Sequence, residues 1–341
     1  MSSYHIIQTE NPEQFRDKII AFWDEYLPGT PHKRYDWLTR GNPDGPAIWF
    51  LALLKDTNEL IGTINVLPRT LIYNQLKIKS GILGDFTVHR NHRVFGPGLK
   101  LPKQVAQSFS DLGFDVILTI PNEKSKKAIQ RAGLKQNILL KCYAKPIQIS
   151  YYLKNYMPEI FAKVLSPIVE LGLTTYFRDF WIPLSYRCDE IFKIDERFDR
   201  FWKKALKQPP KVLGNHSAAF LRWKVCNNPL SKYRFLTVKE KKYQEMSGYL
   251  VFKVENKKME ISDSVCLDKK GGGILIRSAV NIARKEKCQA IYFTVPEHGR
   301  WPSFLKSMGF MDSENNSSLH WLAGNDIDLK EWEFLQGDRN I

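Results

Sequence analysis

From Gly84 to Lys103 the chain reads GDFTVHRNHRVFGPGLKLPK, in which Asp85, Thr87 and His89 alternate with Phe86 and Val88. A period of two predicts a strand. The alternation stops at a turn carrying Gly96 and Gly98, after which a helix is predicted. A second strand, Val116 to Ile120, opens the stretch DVILTIPNEKSKKAIQRAGL, whose remainder reads as a turn and another helix. The segment Ile147 to Leu184 has a different pattern. It is dense in aliphatic and aromatic residues but cut by Pro158, Pro167 and Pro183, which predicts broken helices. Lys154, Glu159, Lys163 and Glu170 interrupt its apolar runs. None therefore reaches the roughly 18 consecutive apolar residues of a membrane span. Such residues are expected to pack against one or both flanking units, with a membrane surface or a dimer partner as the alternative cover.

The pattern occurs twice. Trp37-x4-Asn42-Pro43 recurs as Trp223-x4-Asn228-Pro229, and in both places 25 residues separate the tryptophan from the glycine that starts an apolar strand, Gly62 or Gly248. Gly96-x-Gly98 recurs as Gly271-x-Gly273, and Thr119-Ile120-Pro121 as Thr294-Val295-Pro296, with 23 residues from second glycine to proline in each copy. Gly133-Leu134 matches Gly309-Phe310. A chain of 341 residues is long for one domain of ordinary size, and these spacings predict two copies of one mixed α/β unit. The copies are residues 1–146 and 185–341, joined by a helical linker at 147–184.

Composition narrows the partners. Hydrophobic residues make up 43% and charged residues 26% of the chain, so both units can bury a core. The formal net charge of +15 favours anionic partners: cofactor phosphates, a nucleotide-linked substrate, nucleic acid or an acidic membrane. The lysine clusters at Lys239 to Lys242 and Lys257 to Lys258 fall at predicted hairpin ends without a nucleic-acid-binding module, so no nucleic acid is expected. The first residues, MSSYHIIQTENPEQF, hold neither a basic leader nor an apolar signal core, which argues against secretion and for a cytoplasmic protein. Cys142, Cys188, Cys226, Cys266 and Cys288 are odd in number and widely spaced. They indicate neither a disulfide framework nor a metal site, and are expected to act as buried small apolar residues.

The turn carries the chemistry. In Arg93-x-x-Gly96-x-Gly98 the glycines remove Cβ bulk, so that successive N–H groups at a helix start can converge on phosphate oxygens, and Arg93 adds a guanidinium. After a strand, this resembles the acetyl-CoA signature of the GNAT acyltransferase superfamily, Arg/Gln-x-x-Gly-x-Gly/Ala. Asn122, Ser125, Gly133 and Leu134 match the register of that superfamily's next pattern. The resemblance implies an α/β (α+β) fold of two tandem GNAT domains, each a mixed, mostly antiparallel sheet flanked by helices. It implies acyl-CoA along Phe86, Thr87 and Val88, with the pantetheine arm entering a gap between that strand and Val116 to Ile120. The phosphates would meet Arg93, Val94, Phe95, Gly96, Pro97, Gly98 and Leu99, with Asn122 and Ser125 on the far side. Two positions depart from the pattern. Ile129 stands where the superfamily has a thiolate-protonating tyrosine, and Asp268, equivalent to Arg93, would repel a pyrophosphate in the second copy. That copy is expected to be structural or acceptor-binding.

Acyl transfer from a thioester needs a neutral amine, a polarised carbonyl and a proton for sulfur. A strand N–H can polarise the carbonyl, Asp85 is the first candidate base and His89 the second. A carboxylate beside a glycine equally pairs with a cation or caps a turn, and His89 can simply face water. Trp37, Arg222 and Trp223 are candidate acceptor-binding residues, because aromatic walls suit a sugar ring or nucleobase. The tryptophans' repetition in both copies argues instead for shared packing. As a whole the chain resembles tandem-GNAT N-acyltransferases of bacterial surface-polysaccharide pathways. This implies transfer of an acetyl or short hydroxyacyl group from acyl-CoA to the amine of a dTDP- or UDP-linked amino-deoxy sugar, by a monomer or homodimer and without a metal. FemABX-like aminoacyl transferases and a non-catalytic acyl-CoA-binding scaffold are the alternatives.

Overall fold

A computed structural model describes residues 3–93, 96–154, 156–207, 212–324, 327–333, 335 and 338. The first copy runs β1 (Tyr4–Thr9), α1 (Arg16–Tyr26), α2 (Lys33–Thr39), β2 (Ile48–Leu54), β3 (Leu60–Tyr73), β4 (Leu76–Val88), α3 (Pro97–Ser108), β5 (Val116–Thr119), α4 (Glu123–Arg131) and β6 (Lys135–Pro146). Helices α5 (Ile149–Leu153) and α6 (Glu159–Tyr176) follow. The second copy runs β7 (Tyr186–Ile191), α7 (Glu196–Ala205), β8 (Val212–Gly214), α8 (Ala218–Leu221), β9 (Arg234–Glu240), β10 (Met246–Glu255), β11 (Lys258–Cys266), α9 (Lys269–Lys285), β12 (Ala290–Pro296), α10 (Trp301–Ser307), β13 (Met311–Asp312) and β14 (Ser317–Ala323).

Local chemistry sets the hairpins. Asn74 and Gln75 between β3 and β4, and Asn256 and Lys257 between β10 and β11, all take positive φ, from 47° to 68°. Two left-handed residues in succession give the turn whose twist matches that of paired strands. The β2 stretch IWFLALL is apolar throughout and almost wholly buried, as a strand covered on both faces must be.

The strands join into one 14-stranded sheet, ordered β1-β2-β3-β4-β5-β14-β6-β12-β11-β10-β9-β7, with β8 on β3 and β13 on β6. The mixed α/β class is as expected. Two separate tandem sheets are not what forms, because the copies exchange their last strands. β14 leaves the second half to lie between β5 and β6, with His320 opposite Thr119 and Leu319 opposite Ile138. β6 in turn pairs with β12, Tyr143 opposite Phe293. Strand order is thereby mirrored about the β14–β6 seam. The largest core cluster draws on both halves, from Phe15 to Trp332. A buried ion pair at 2.6 Å joins Arg69 of β3 to Asp338, while Arg69 also donates to the Asn215 carbonyl.

The repeated tryptophans meet at the junction of the halves. Their rings stack at 4.7 Å and 16°, and each indole N–H donates to the other's backbone carbonyl at 2.9 Å. Both are buried. This corrects the acceptor-binding expectation for Trp37 and Trp223: stacked on each other and buried on their other faces, they leave no ring face for a sugar. Arg222, exposed beside them, donates to the Ile194 carbonyl. The paired Asn-Pro motifs are turns, in which Asn42 Oδ1 accepts from Asp44 N–H and Asn228 Oδ1 from Leu230 N–H.

The linker also departs from expectation. Pro158 precedes α6, but the helix runs on through Pro167, and the Lys163 carbonyl that Pro167 cannot bond accepts from the Ser166 hydroxyl at 3.4 Å. Its ends pack as expected, with Ile147 and Ile149 buried and Ile182 against the second half's core, but along α6 Ile160, Phe161 and Leu171 are among the exposed residues. No described helix is long and apolar enough to cross a membrane. Cys142, Cys266 and Cys288 are buried as expected, whereas Cys188 is half-buried and Cys226 exposed.

Candidate functional site

β4 and β5 run parallel only from Ser80–Val116 to Ile82–Leu118. Beyond that pair they part. The gap is a cleft of about 170 Å³, walled by Ile64, Leu83, Phe86, Leu118, Ile120 and Ile129, with Asp85, Thr119, Asn122 and Ser125 as its polar groups. The Thr119 hydroxyl reaches across its floor to the Leu83 carbonyl at 3.3 Å. A splayed pair was expected, but the lining stretch is Leu83 to Phe86 rather than Phe86 to Val88. Thr87 and Val88 are buried and stay in register with Thr63 and Gly62 of β3.

A bulge causes this offset. Asn65 lies opposite Gly84 and Thr63 opposite Thr87, so β4 carries one more residue than β3 between these pairs. Asp85 sits in the bulge at φ 46°. Its two carboxylate oxygens accept from Arg34 at 2.9 Å and Asn65 at 2.7 Å, and its carbonyl accepts from the Thr63 hydroxyl. The Asp85 and Arg34 side chains are 7% and 5% exposed, so this is a buried ion pair. The first candidate base is thus at the cleft, but as a paired carboxylate whose contacts hold the bulge. Arg34 and Asn65 went unread in the sequence; the nearest signal is that Arg34 lies one helical turn before Trp37.

His89 is elsewhere. It stands before a short helical turn, Arg90–His92, accepts from Asn91 N–H through Nδ1, and packs edge-on against Tyr26. It lines no part of the cleft, which corrects its placement as second base.

Past β4 the chain reaches the helix start. Gly96 is the N-cap of α3, Pro97 its first residue, Gly98 is half-buried and Leu99 exposed. A Cβ on Gly98 would come within 2.9 Å of the Arg93 carbonyl, so backbone approach dictates glycine here. Gly62 on β3 serves the same helix, since a Cβ there would meet Leu101 at 3.0 Å. Arg93 is exposed and donates through Nε to the Val88 carbonyl. Val94 and Phe95 lie outside the described residues. On the opposite wall Asn122 caps α4, its Oδ1 accepting from Ser125 N–H at 3.0 Å and the Ser125 hydroxyl at 3.1 Å. Ile129 is buried in that wall and has no proton to give. On β14, beside Thr119, burial pushes the His320 imidazole pKa below its ordinary value.

The second half has its own bulge, at Ser262 of β11, but starts its helix differently. Gly271, Gly272 and Gly273 are not a turn but buried residues within α9, whose N-cap is Asp268. Asp268 Oδ1 accepts from Gly271 N–H at 2.7 Å. Among the described residues, no group of His, Cys, Asp and Glu is arranged to hold a metal ion.

The sequence matches no protein-family model. It matches no curated protein either. Solved structures do share its fold. A probable N-acyltransferase of Enterococcus faecalis is 9% identical at a TM-score of 0.69, over 94% of this chain and 73% of that one. A GCN5-related N-acetyltransferase of Anabaena variabilis is 10% identical at 0.66, over 93% and 72%. The N-myristoyltransferase of Saccharomyces cerevisiae, solved with bound myristoyl-CoA, is 10% identical at 0.60, over 94% and 83%. At such identities what is shared is the fold: this chain has the architecture of the GCN5-related N-acyltransferases.

Proposed function

We propose that the chain transfers an acyl group from acyl-CoA to the amine of a nucleotide-linked amino-deoxy sugar. The observation that supports it is the parting of β4 and β5 at a bulge, immediately before a helix start with Arg93 and two glycines. A strand-like pantetheine arm fits such a gap, its amides meeting freed backbone groups, while phosphates meet the α3 N-terminus and Arg93. At a bulge the extra residue leaves the ladder, so an amide of β4 is available to polarise the thioester carbonyl. The acceptor nitrogen then bonds to the carbonyl carbon and the carbon–sulfur bond breaks. The amine proton passes to water, and the sulfur leaves as thiolate and takes its proton from water, since Ile129 supplies none. Asp85, with Arg34 and Asn65, positions the bulge.

The acceptor class rests on the chain's resemblance to tandem sugar N-acyltransferases and on the net charge of +15, which favours a diphosphate-bearing substrate. The second half completes the first through β14 and, in this reading, contributes to acceptor binding. Ile129 favours one other reading, an acyl-CoA-binding scaffold. Thiol release from acetyl-CoA in the presence of dTDP- and UDP-linked 3- or 4-amino-6-deoxyhexoses tests the proposal, with the free amino sugars as comparison. Faster release with the nucleotide-linked sugar is expected. CoA binding by calorimetry without thiol release would leave the scaffold; equal rates for free and linked sugars would remove the nucleotide from the acceptor.

A further inference from the structure

Helix α6 is amphipathic in the wrong sense for a packed helix. The side it turns toward the protein carries Ala162 and Ser166, both buried, Glu170, whose carboxylate accepts from Ile149 N–H, and Thr174, whose hydroxyl accepts from Arg284. The side it turns outward carries Ile160, Phe161, Val164, Leu165, Ile168 and Leu171, all exposed. Taken at 3.6 residues per turn, these outward residues, with Val169 and Tyr176, cover an arc of roughly 180°. Apolar surface on that scale is ordinarily covered.

We propose that α6 docks the protein in the plane of an anionic phospholipid bilayer. Three observations favour a bilayer over a second copy of the chain. A helix–helix seam needs only a narrow apolar stripe, whereas an arc of half the circumference suits a helix sunk to its axis in an interface. The two ends of the helix carry exposed Tyr156 and exposed Tyr176 and Trp181, the residue types that settle at headgroup level. The charge is complementary. Between Tyr151 and Leu184 the exposed ionic groups among the described residues are Lys154, Lys163 and Arg178 against Glu159, because Asp179 is buried between Lys145 and Arg284 and Glu170 faces inward. A second copy would instead set one net charge of +15 against another.

The test is co-sedimentation of the full chain with vesicles of phosphatidylcholine, with and without phosphatidylglycerol, at low and high salt. Binding is expected to require phosphatidylglycerol and to fall with salt. The double variant Ile160→Glu/Leu171→Glu alters two exposed positions, so it should keep the wild-type melting temperature and lose at least about tenfold in vesicle partitioning. Lys154→Glu/Arg178→Glu should weaken binding to the anionic vesicles in particular. No binding to either vesicle, binding indifferent to phosphatidylglycerol, or binding unchanged in the Ile160/Leu171 variant would each overturn the proposal. So would a dimer in ultracentrifugation that this variant dissociates, if wild type ignores vesicles, since α6 would then be a self-association surface.

Discussion

The two halves place the same strands side by side, and in both the parallel pairing stops short of the strand ends beside a bulge, yet what surrounds the gap differs. In the first, β4 and β5 separate after Ile82 and Leu118, leaving Gly84, Asp85 and Phe86 half-open. In the second, β11 and β12 pair up to Ile261 and Phe293, and all of Ser262 to Cys266 is buried. What differs is the filling. Asp263 accepts from Tyr249 at 3.1 Å and lies 3.0 Å from His216 Nδ1, with all three side chains almost without exposure. Burial holds the Tyr249 phenol well above its ordinary pKa, so it stays a hydrogen-bond donor. The first half's counterpart, Asp85 with Arg34 and Asn65, sits at a cleft.

The helix starts diverge in parallel. α3 has no side-chain cap among the described residues, whereas Asp268 places its own carboxylate on Gly271 N–H at the start of α9. A side-chain cap occupies a donor that a phosphate would otherwise take. The two halves thus share a backbone but differ at one helix cap and one packed polar cluster.

The most severe way to break the comparison is to separate the halves. Residues 1–146 alone lack β14 between β5 and β6, and lack Trp223 and Asp338. This fragment is expected to show no cooperative thermal transition, and a sharp one would mean that the strand exchange is dispensable. Next comes the tryptophan pair. Trp37→Ala and Trp223→Ala should each lower stability by about 3–5 kcal/mol in urea unfolding. Because both remove one shared contact, the double variant should fall well short of the sum. Additive losses would show that the rings pack independently.

Asp85→Ala removes one member of a buried ion pair and should cost about 3 kcal/mol, the lower end for such breakage. Asp85→Asn tests the role. A positioning carboxylate predicts lost stability together with weaker acyl-CoA binding, whereas a base predicts lower turnover with stability intact. The smallest effects compare the helix starts directly. Arg93→Ala should weaken CoA binding by about 1.5–3 kcal/mol, the scale of a charged hydrogen bond. Asp268→Ala should leave CoA binding unchanged and cost about 1 kcal/mol of stability as a lost cap. Calorimetry that finds two equivalent CoA sites in the wild type would end the asymmetry between the halves.

Much of the frame was legible along the chain. The repeat of Trp37 and Trp223, the glycine that α3 requires at position 98 and the apolar linker are local patterns, and each is present in the structure. The cleft was legible in place but not in register. Period-two alternation locates a strand; it does not reveal a bulge, which depends on a side chain from elsewhere holding Asp85. Arg34 is 51 residues away from it. The Gly271-x-Gly273 repeat misled for a related reason, since a glycine run reads alike in a turn and in a helix start that packs closely on a strand.

The sequence by itself determined the duplicated α/β unit, the helix start with Arg93 and its glycines, and an apolar linker too interrupted to span a membrane. These follow from periodicity, turn chemistry and capping, which act over a few residues. Only the tertiary structure decided that β14 and β6 change places, that Trp37 stacks on a residue 186 positions away, that Asp85 is paired and that α6 faces outward. An apolar strand carries no mark of which edge it will join, and an apolar helix face carries none of what will cover it. Those choices belong to long-range packing, where many partners satisfy the same local pattern.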